Sequence, residues 1–89
     1  MRIVYRSEAL ADLQNIHDYY EAISAETNAG VFDDIFEAIS TLQTFPKVGR
    51  QLEDGRRRFV SPKYRFVISH HSYGDRVEIV GVYRQQDRK

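Results

Sequence analysis

The sequence has 89 residues, no cysteine and a formal net charge of zero. Its length fits a single domain over residues 1–89, with little room for an enclosed active site, so function should lie on an open face or a rim. The absence of cysteine excludes a disulfide framework and thiolate chemistry. The N-terminus is too short and too charged for the apolar core of a signal peptide, and no apolar run could span a membrane. We therefore expect a soluble, cytoplasmic protein.

The zero net charge hides a division of charge along the chain. Residues 1–46 contain 2 Lys+Arg and 8 Asp+Glu, whereas residues 47–89 contain 11 and 5, so the two parts carry −6 and +6. The positive part favours binding to a polyanion or to an acidic partner. The alternative is that its arginines lie on solvated strand edges, where charge opposes edge-to-edge aggregation.

The first part of the chain predicts a strand and then an amphipathic helix. Residues 3–5 are apolar between two arginines, which indicates a short strand. Apolar residues then recur at helical spacing over residues 8–24, and Ser7 is placed to cap this helix. Asp12 belongs to the polar side of this pattern, which predicts a position facing solvent.

A second amphipathic helix follows, with Thr27 or Asn28 as its cap and Pro46 just beyond its end. Two helices joined by a short loop form an antiparallel hairpin, whose apolar stripes need a sheet to cover. Asp33, Asp34 and Glu37 lie near the start of the second helix, where acidic side chains interact favourably with the helix dipole and aid solubility. The side chains expected in the core are Leu13, Ile16, Tyr20, Phe32, Ile35, Phe36, Ile39 and Leu42, with Phe66 or Val67 opposite.

The basic part of the chain predicts three strands separated by turns. Residues 57–60 form one strand, residues 64–69 alternate with period two, and residues 77–83 are apolar on both faces, as in a central strand. The expected fold class is α+β. An N-terminal strand joins a mostly antiparallel sheet of about four strands, and the helix hairpin packs on one face of that sheet.

Four segments in this order resemble the RelE/ParE superfamily, the small toxins of type II toxin–antitoxin systems. In chain order they are Ala9-(x)2-Asp12-Leu13-(x)2-Ile16-(x)2-Tyr19, Leu42-(x)3-Pro46-(x)2-Gly49-Arg50, Arg58-(x)5-Tyr64-Arg65 and Val77-Glu78-Ile79-Val80-Gly81-Val82. The resemblance covers nearly the whole chain. No single segment is specific, but the ordered set is.

The superfamily has two branches with different targets. RelE-like members cleave messenger RNA in the ribosomal decoding site, whereas ParE-like members have no known hydrolytic activity and poison DNA gyrase. The long helix hairpin, the Gly49-Arg50 link and the early strand with Arg58 look more like ParE. Many members carry a histidine near the end of the last strand, where this chain has Arg84 after Tyr83.

The resemblance therefore implies a growth-inhibiting toxin that acts on DNA gyrase and serves plasmid or chromosome maintenance. It also implies a cognate antitoxin that neutralises the toxin through an acidic and apolar segment folding on binding. The residues expected to bind the antitoxin or the target are Arg50, Arg56, Arg57, Arg58, Arg65 and Arg84.

One alternative is a RelE-like, ribosome-dependent mRNA endoribonuclease, with Arg58, Lys63, Tyr83 and Arg84 as candidate catalytic residues, and another is a degenerate, non-toxic member of the family. Cleavage through the 2′-hydroxyl needs a base, cations around the phosphate and an acid for the leaving oxygen. Arginine suits the second role, but an unperturbed tyrosine is a poor base at neutral pH, and a lysine base needs a lowered pKa. We therefore expect a protein that is not an enzyme.

The three histidines do not predict a metal site. His17 lies on the apolar side of the first helix, where a packed and hydrogen-bonded side chain is the common case. His70 and His71 are adjacent in a strand and so point to opposite faces, with no third ligand nearby. We expect neither a bound metal nor another cofactor.

Overall fold

Within the described part of the chain, the sheet has five strands, one more than the sequence pattern predicts. The computed structural model describes residues 1–85. Its elements are β1 (Arg2–Tyr5), α1 (Ser7–Ile23), α2 (Ala25–Thr44), β2 (Arg50–Gln51), β3 (Arg57–Val60), β4 (Phe66–Ser72) and β5 (Arg76–Arg84). The strand order is β1-β5-β4-β3-β2, with β1 parallel to β5 and the other pairs antiparallel. The additional strand is β2, whose two residues are too few to show a period.

This arrangement confirms the α+β fold and the central position of the last strand, since β5 pairs with both β1 and β4. The period-two pattern placed the start of the preceding strand at residue 64, but β4 begins at Phe66. Residues 64 and 65 belong instead to the turn after β3, where Arg65 has a left-handed φ of 62°. Neither helix of the described chain is long and apolar enough to cross a membrane.

The two helices are joined by a single residue, Ser24, which makes the hairpin tighter than the sequence predicts. The Oγ atom of Ser24 accepts the backbone N–H of Thr27 at 2.9 Å and caps α2, so the predicted cap at Thr27 or Asn28 is wrong. The predicted cap at Ser7 is also wrong. Ser7 is already inside α1, and its hydroxyl donates to the Glu8 carboxylate at 3.1 Å.

A hydrogen-bonded contact joins the two helices next to this turn. The side-chain amide of Asn28 donates to His17 Nδ1 and to the Glu21 carboxylate, both at 2.9 Å. The His17 ring also packs edge-on against Phe32, with 6.1 Å between the ring centroids. His17 is therefore packed and hydrogen-bonded, as its position in the first helix predicts.

The core lies between the helix hairpin and one face of the sheet. Its buried members are Ala9, Val31, Ile35, Ala38, Ile39, Leu42, Phe66, Ile68, Val77, Ile79 and Val82. Leu13, Ile16, Tyr20 and Phe32 pack partly buried against this cluster. The prediction is wrong for Phe36, whose side chain is 47% exposed. It lies about 100° around the helix from Ile35, outside the row that faces the sheet.

A β-bulge determines which side of the sheet each residue of β5 faces. Ser69 pairs with Gly81 and His70 pairs with Ile79, so Val80 has no partner in β4. The extra residue reverses the alternation, and Val82 therefore reaches the same core as Ile79. This shift explains why the sequence of β5 is apolar on what looks like both faces.

We expect Ile35→Ala to lower the free energy of unfolding by about 2–5 kcal/mol, because it leaves a cavity in a fully buried site. Phe36→Ala is the matched control on the next residue and should cost about 1 kcal/mol or less, since that ring is half exposed. Chemical denaturation of both variants measures the difference. Equal losses in the two variants would contradict the burial described above.

His70 is the one histidine that the described fold buries completely, at 0% exposure. Its Nδ1 atom lies 3.1 Å from the carbonyl oxygen of Ile68, so the neutral ring donates a hydrogen bond from that nitrogen. Burial lowers the pKa of His70, and the nearby charge of Arg57 acts in the same direction. The folded protein therefore holds this ring neutral.

This histidine should make stability depend on pH below neutrality. Its folded pKa lies below the unfolded value of about 6.5, so its contribution is complete above that pH and is lost as the pH falls towards the folded pKa. We expect His70→Gln to reduce the fall in melting temperature between pH 7.5 and pH 5.5. His71→Gln is the control, because its ring lies on the other face and should leave the fall unchanged. An undiminished fall in the His70 variant would refute this account.

Candidate functional site

The face of the sheet away from the helices carries the basic residues of interest. Phe59, Phe66 and Ile68 point to the core, so their neighbours in the strands point the other way. We call this the outer face. It comprises Arg50, Arg56, Arg58, Val60, Val67, Ser69, Gly81 and Tyr83. The outer face therefore mixes cationic and apolar side chains.

A hollow of about 320 Å³ opens on this face. We call it the arginine hollow. Its lining residues are Arg50, Arg58, Val60, Val67, Tyr83 and Gln85. Arg50 and Arg58 are directly opposite each other in the β2–β3 pair, and Val67 is opposite Tyr83 in the β4–β5 pair. Opposite residues share a face, so two arginines border a largely apolar floor.

Two buried polar atoms near this hollow have no hydrogen-bond partner within residues 1–85. They are Arg58 Nε and Ser69 Oγ. Arg58 and Ser69 are opposite each other in the β3–β4 pair, so both side chains stand on the outer face. An unsatisfied buried donor costs about 1–3 kcal/mol, which an acceptor from a water molecule or a ligand would recover.

The link before β2 holds this surface in place through a glycine. Gly49 has a φ of +96°, in the left-handed region that favours glycine. A Cβ atom added there would lie 2.9 Å from the carbonyl carbon of Arg58, so no side chain fits against this strand. Glycine therefore lets the link pass close to β3 and deliver Arg50 opposite Arg58.

We expect Gly49→Ala to lower the free energy of unfolding by about 1–3 kcal/mol, through backbone strain and the clash with β3. It should also shift the backbone amide resonances of Arg50 and Arg58. Gly74→Ala is the matched control, because an added Cβ meets nothing within 4 Å, and it should change stability by about 0.5 kcal/mol or less. Thermal unfolding and amide spectra of both variants test this. A Gly49 variant as stable as the Gly74 variant would rule the constraint out.

A buried carboxylate on α2 fixes the turn between β3 and β4. Asp34 is 1% exposed, and its two oxygens accept the backbone N–H groups of Lys63 at 3.1 Å and Tyr64 at 2.8 Å. Burial raises the pKa of Asp34, but hydrogen bonds from Ser61, Tyr64 and Lys63 outweigh it and hold that pKa below its ordinary value. The expectation of a solvated residue near the helix dipole was wrong for Asp34.

The sequence does contain a signal for this role of Asp34. It lies three residues after Val31 and four before Ala38, on the row of α2 that faces the sheet. A carboxylate on a buried row needs hydrogen-bond donors from elsewhere in the fold. The pattern could therefore have identified a tether, although not its partners.

Asp12 has a comparable structural role on α1. Its Oδ2 atom accepts the backbone N–H of Val82 at 3.0 Å, so it does not simply face solvent as the sequence pattern predicts. The pairing of β1 with β5 ends at Tyr5 and Ile79, so within residues 1–85 the rest of β5 has no strand on that side. Asp12 supplies an acceptor to this open edge.

The remaining arginines of the predicted binding set are divided among other places. Arg57 alternates away from Arg58 and donates to the carbonyl of Gly49 at 3.2 Å and to the side chain of Gln51 at 3.3 Å. Arg56 stands beside Ser69 on the outer face. Its Nε atom lies 2.6 Å from an oxygen of Asp54. Hydrogen bonds from Arg56 lower the pKa of that carboxyl.

Arg65 and Arg84 lie away from the arginine hollow. Arg65 is exposed in the turn after β3, and its carbonyl accepts the backbone N–H of Gln85 at 3.2 Å. Arg84 turns towards α1, where its guanidinium carbon lies 5.8 Å from the ring centroid of Tyr19. The structure thus brings Arg50, Arg56 and Arg58 to the outer face and distributes the others.

Sequence comparison assigns this fold and surface to a known family. A family model described as the ParE toxin of the type II toxin–antitoxin system parDE matches residues 3–88. The chain belongs to this family. This confirms that the sequence belongs to the ParE branch of the superfamily.

A solved structure supports the same assignment. The chromosomal ParDE toxin–antitoxin system from P. aeruginosa contains a chain with 26% sequence identity to this one and a TM-score of 0.80. The match covers 94% of this chain and 95% of that chain. No curated protein sequence matches the chain.

The four residues considered for RNA cleavage do not meet in this member of the ParE family. Arg58 and Tyr83 line the arginine hollow, whereas Arg84 turns towards α1 and Lys63 lies in the turn that Asp34 holds. Residues 1–85 also contain no group of three histidine or acidic side chains that could hold a metal ion.

A second hollow, of about 250 Å³, lies between α1 and β5, and the sequence pattern does not predict it. Ile16, Tyr19, Tyr20, Phe66 and Val82 give it apolar walls, and Arg84 is at its border. The Tyr19 side chain is 56% exposed here. This surface offers an apolar counterpart to the arginine hollow, with Tyr83 lining both.

Proposed function

We propose that this chain is the toxin of a ParDE-type module, that it inhibits DNA gyrase in the cytoplasm, and that a cognate antitoxin neutralises it. The observation that supports this proposal is the match of the ParE toxin model to residues 3–88. In the module, growth stops when free toxin accumulates and resumes when the antitoxin binds it.

The outer face supports neutralisation by an acidic and apolar segment. Arg50 and Arg58 provide positive charge above the apolar floor of Val67 and Tyr83. The hollow between α1 and β5 offers further apolar surface within reach of the same ligand through Tyr83. A segment that is disordered alone gains both kinds of contact when it folds along such a surface. The related P. aeruginosa structure is described as a ParDE system.

The arrangement of the candidate catalytic residues supports inhibition by binding. Arginine stabilises negative charge but does not readily accept the proton that 2′-hydroxyl attack releases. Lys63 lies in the turn that Asp34 holds and Arg84 turns towards α1, whereas Arg58 and Tyr83 share the arginine hollow. The mechanism we propose is therefore occupation of a protein target and not cleavage of a nucleic acid.

The test compares two purified systems. We expect the chain to inhibit DNA supercoiling by gyrase, or to trap gyrase on cut DNA, at concentrations that leave protein synthesis in a cell-free translation reaction unchanged. The matched control is the same chain after addition of the protein encoded beside its gene, which should restore supercoiling if it is the antitoxin. Transcripts cut on ribosomes, with supercoiling intact, would overturn the gyrase proposal in favour of the endoribonuclease.

A further inference from the structure

We propose that Arg58 and Ser69 form a receptor for one carboxylate group, presented by an acidic side chain of the antitoxin segment. The inference rests on the proposed function for the source of that side chain. The receptor chemistry rests on the outer face alone. The proposal thus assigns an acidic side chain of the partner to one particular pair of residues in this chain.

The first support is the pair of unsatisfied donors. Arg58 Nε and Ser69 Oγ are both buried, and neither has a hydrogen-bond partner within the described part of the chain. The two residues are directly opposite in the β3–β4 pair and share the outer face. A carboxylate has two acceptor oxygens, so one group can satisfy both donors.

The second support is that the neighbouring arginines already have partners within the described chain. Arg57 already donates to the Gly49 carbonyl and to Gln51, and Arg56 already pairs with Asp54. Arg58 differs from these neighbours because its Nε–H is buried without an acceptor. The exposed Arg50, directly opposite it in β2, adds a second positive charge at the mouth of the arginine hollow.

The shape of the hollow favours a carboxylate on an aliphatic stem over a phosphodiester. Val60, Val67 and Tyr83 line it, so methylene groups find apolar contact while the planar carboxylate meets the edge of the guanidinium. Single-stranded nucleic acid binds to surfaces with several exposed aromatic platforms. Among the described residues that line the arginine hollow, Tyr83 alone is aromatic.

Binding requires a movement of Arg58. Arg58 Nε and Ser69 Oγ are both buried, and Ser69 lines the neighbouring hollow with Arg56, so the Arg58 side chain must rotate to turn its Nε–H edge towards the ligand and to uncover the hydroxyl. That edge presents two parallel N–H groups, which is the geometry of bidentate arginine–carboxylate pairs. The Nε–H resonance of Arg58 therefore reports directly on occupation of the receptor.

The first experiment titrates the ¹⁵N-labelled chain with sodium propionate, which models the end of a glutamate side chain. We expect the Arg58 Nε–H resonance, assigned through Arg58→Lys, to move downfield and to saturate at a concentration on the order of millimolar. The Nε–H of Arg76 is the internal control, because it already donates to Glu78 at 2.8 Å and should not move. Sodium chloride and inorganic phosphate at equal ionic strength form the comparison arms.

Each outcome of the titration decides the proposal. A saturating shift with propionate, absent with chloride, supports it. No shift, or equal shifts with propionate and chloride, overturns it, and tighter binding of phosphate than of propionate overturns it in favour of nucleic acid. Ser69→Ala should weaken propionate binding at least threefold without lowering the melting temperature, since the lost hydroxyl has no partner within residues 1–85. Unchanged propionate binding in that variant would remove Ser69 from the receptor.

A second experiment identifies the source of the carboxylate. Single Glu→Gln and Asp→Asn changes across the contact segment of the antitoxin are measured against the unmodified toxin and against Arg58→Lys. One antitoxin change should weaken binding about tenfold to the unmodified chain and leave binding to the Arg58 variant unchanged. Arg2→Lys is the matched toxin control, because this exposed side chain lies on β1. If no antitoxin change depends on Arg58, the acidic side chain is not the ligand. Propionate binding needs neither gyrase nor antitoxin, so its failure is separate from failure of the proposed function.

Discussion

The extra residue in β5 determines which side chains reach the core and which reach solvent. Without a partner for Val80, the strand reverses its alternation between Ile79 and Val82, and both of these residues enter the core. The same reversal puts Gly81 and Tyr83 together on the outer face, where the arginine hollow forms. Removing the extra residue would turn Val82 out of the core and Tyr83 into it. The core and the candidate site thus depend on one local irregularity.

The sequence predicts the features that depend on repeating patterns, and it fails where a single contact decides. Helical spacing identifies both helices and the buried positions Ile35 and Leu42, because a whole stripe must be buried together. It does not separate Phe36 from the adjacent row. The partners of Asp34 cannot be predicted because only the folded chain brings Lys63 and Tyr64 to it, and the cap of Ser24 is missed because the sequence pattern starts the second helix too late.

For the candidate site, too, the sequence predicts the general pattern but not the individual contacts. Composition identifies a basic half of the chain, and the run of arginines is evident. Alternation within β3 then sends Arg58 to the outer face and turns Arg57 towards the Gly49 link. Sequence alone does not reveal β2, so it cannot show that Arg50 lies opposite Arg58. The binding set predicted from residue type is therefore larger than the set that the outer face brings together.

Acidic residues of the sheet further concentrate the available positive charge. Glu78 accepts the Nε–H of Arg6 and that of Arg76, both at 2.8 Å, and these hydrogen bonds hold the pKa of Glu78 below its ordinary value. The β1–β5 end of the sheet is thereby partly neutralised. Arg50 and Arg58 lie at the opposite end. The outer face is therefore electrostatically asymmetric, with more of its positive charge at the β2–β3 end.

The parallel pairing of β1 with β5 has a consequence for the order of folding. The strand Arg2–Tyr5 finds its place only beside Arg76–Arg84, which lies far along the chain and pairs on its other side with β4. During translation the helix hairpin can form early from local contacts, but its apolar face has no finished sheet to cover. The fold is therefore complete only when segments 74 residues apart along the chain, such as those of Arg2 and Arg76, have paired.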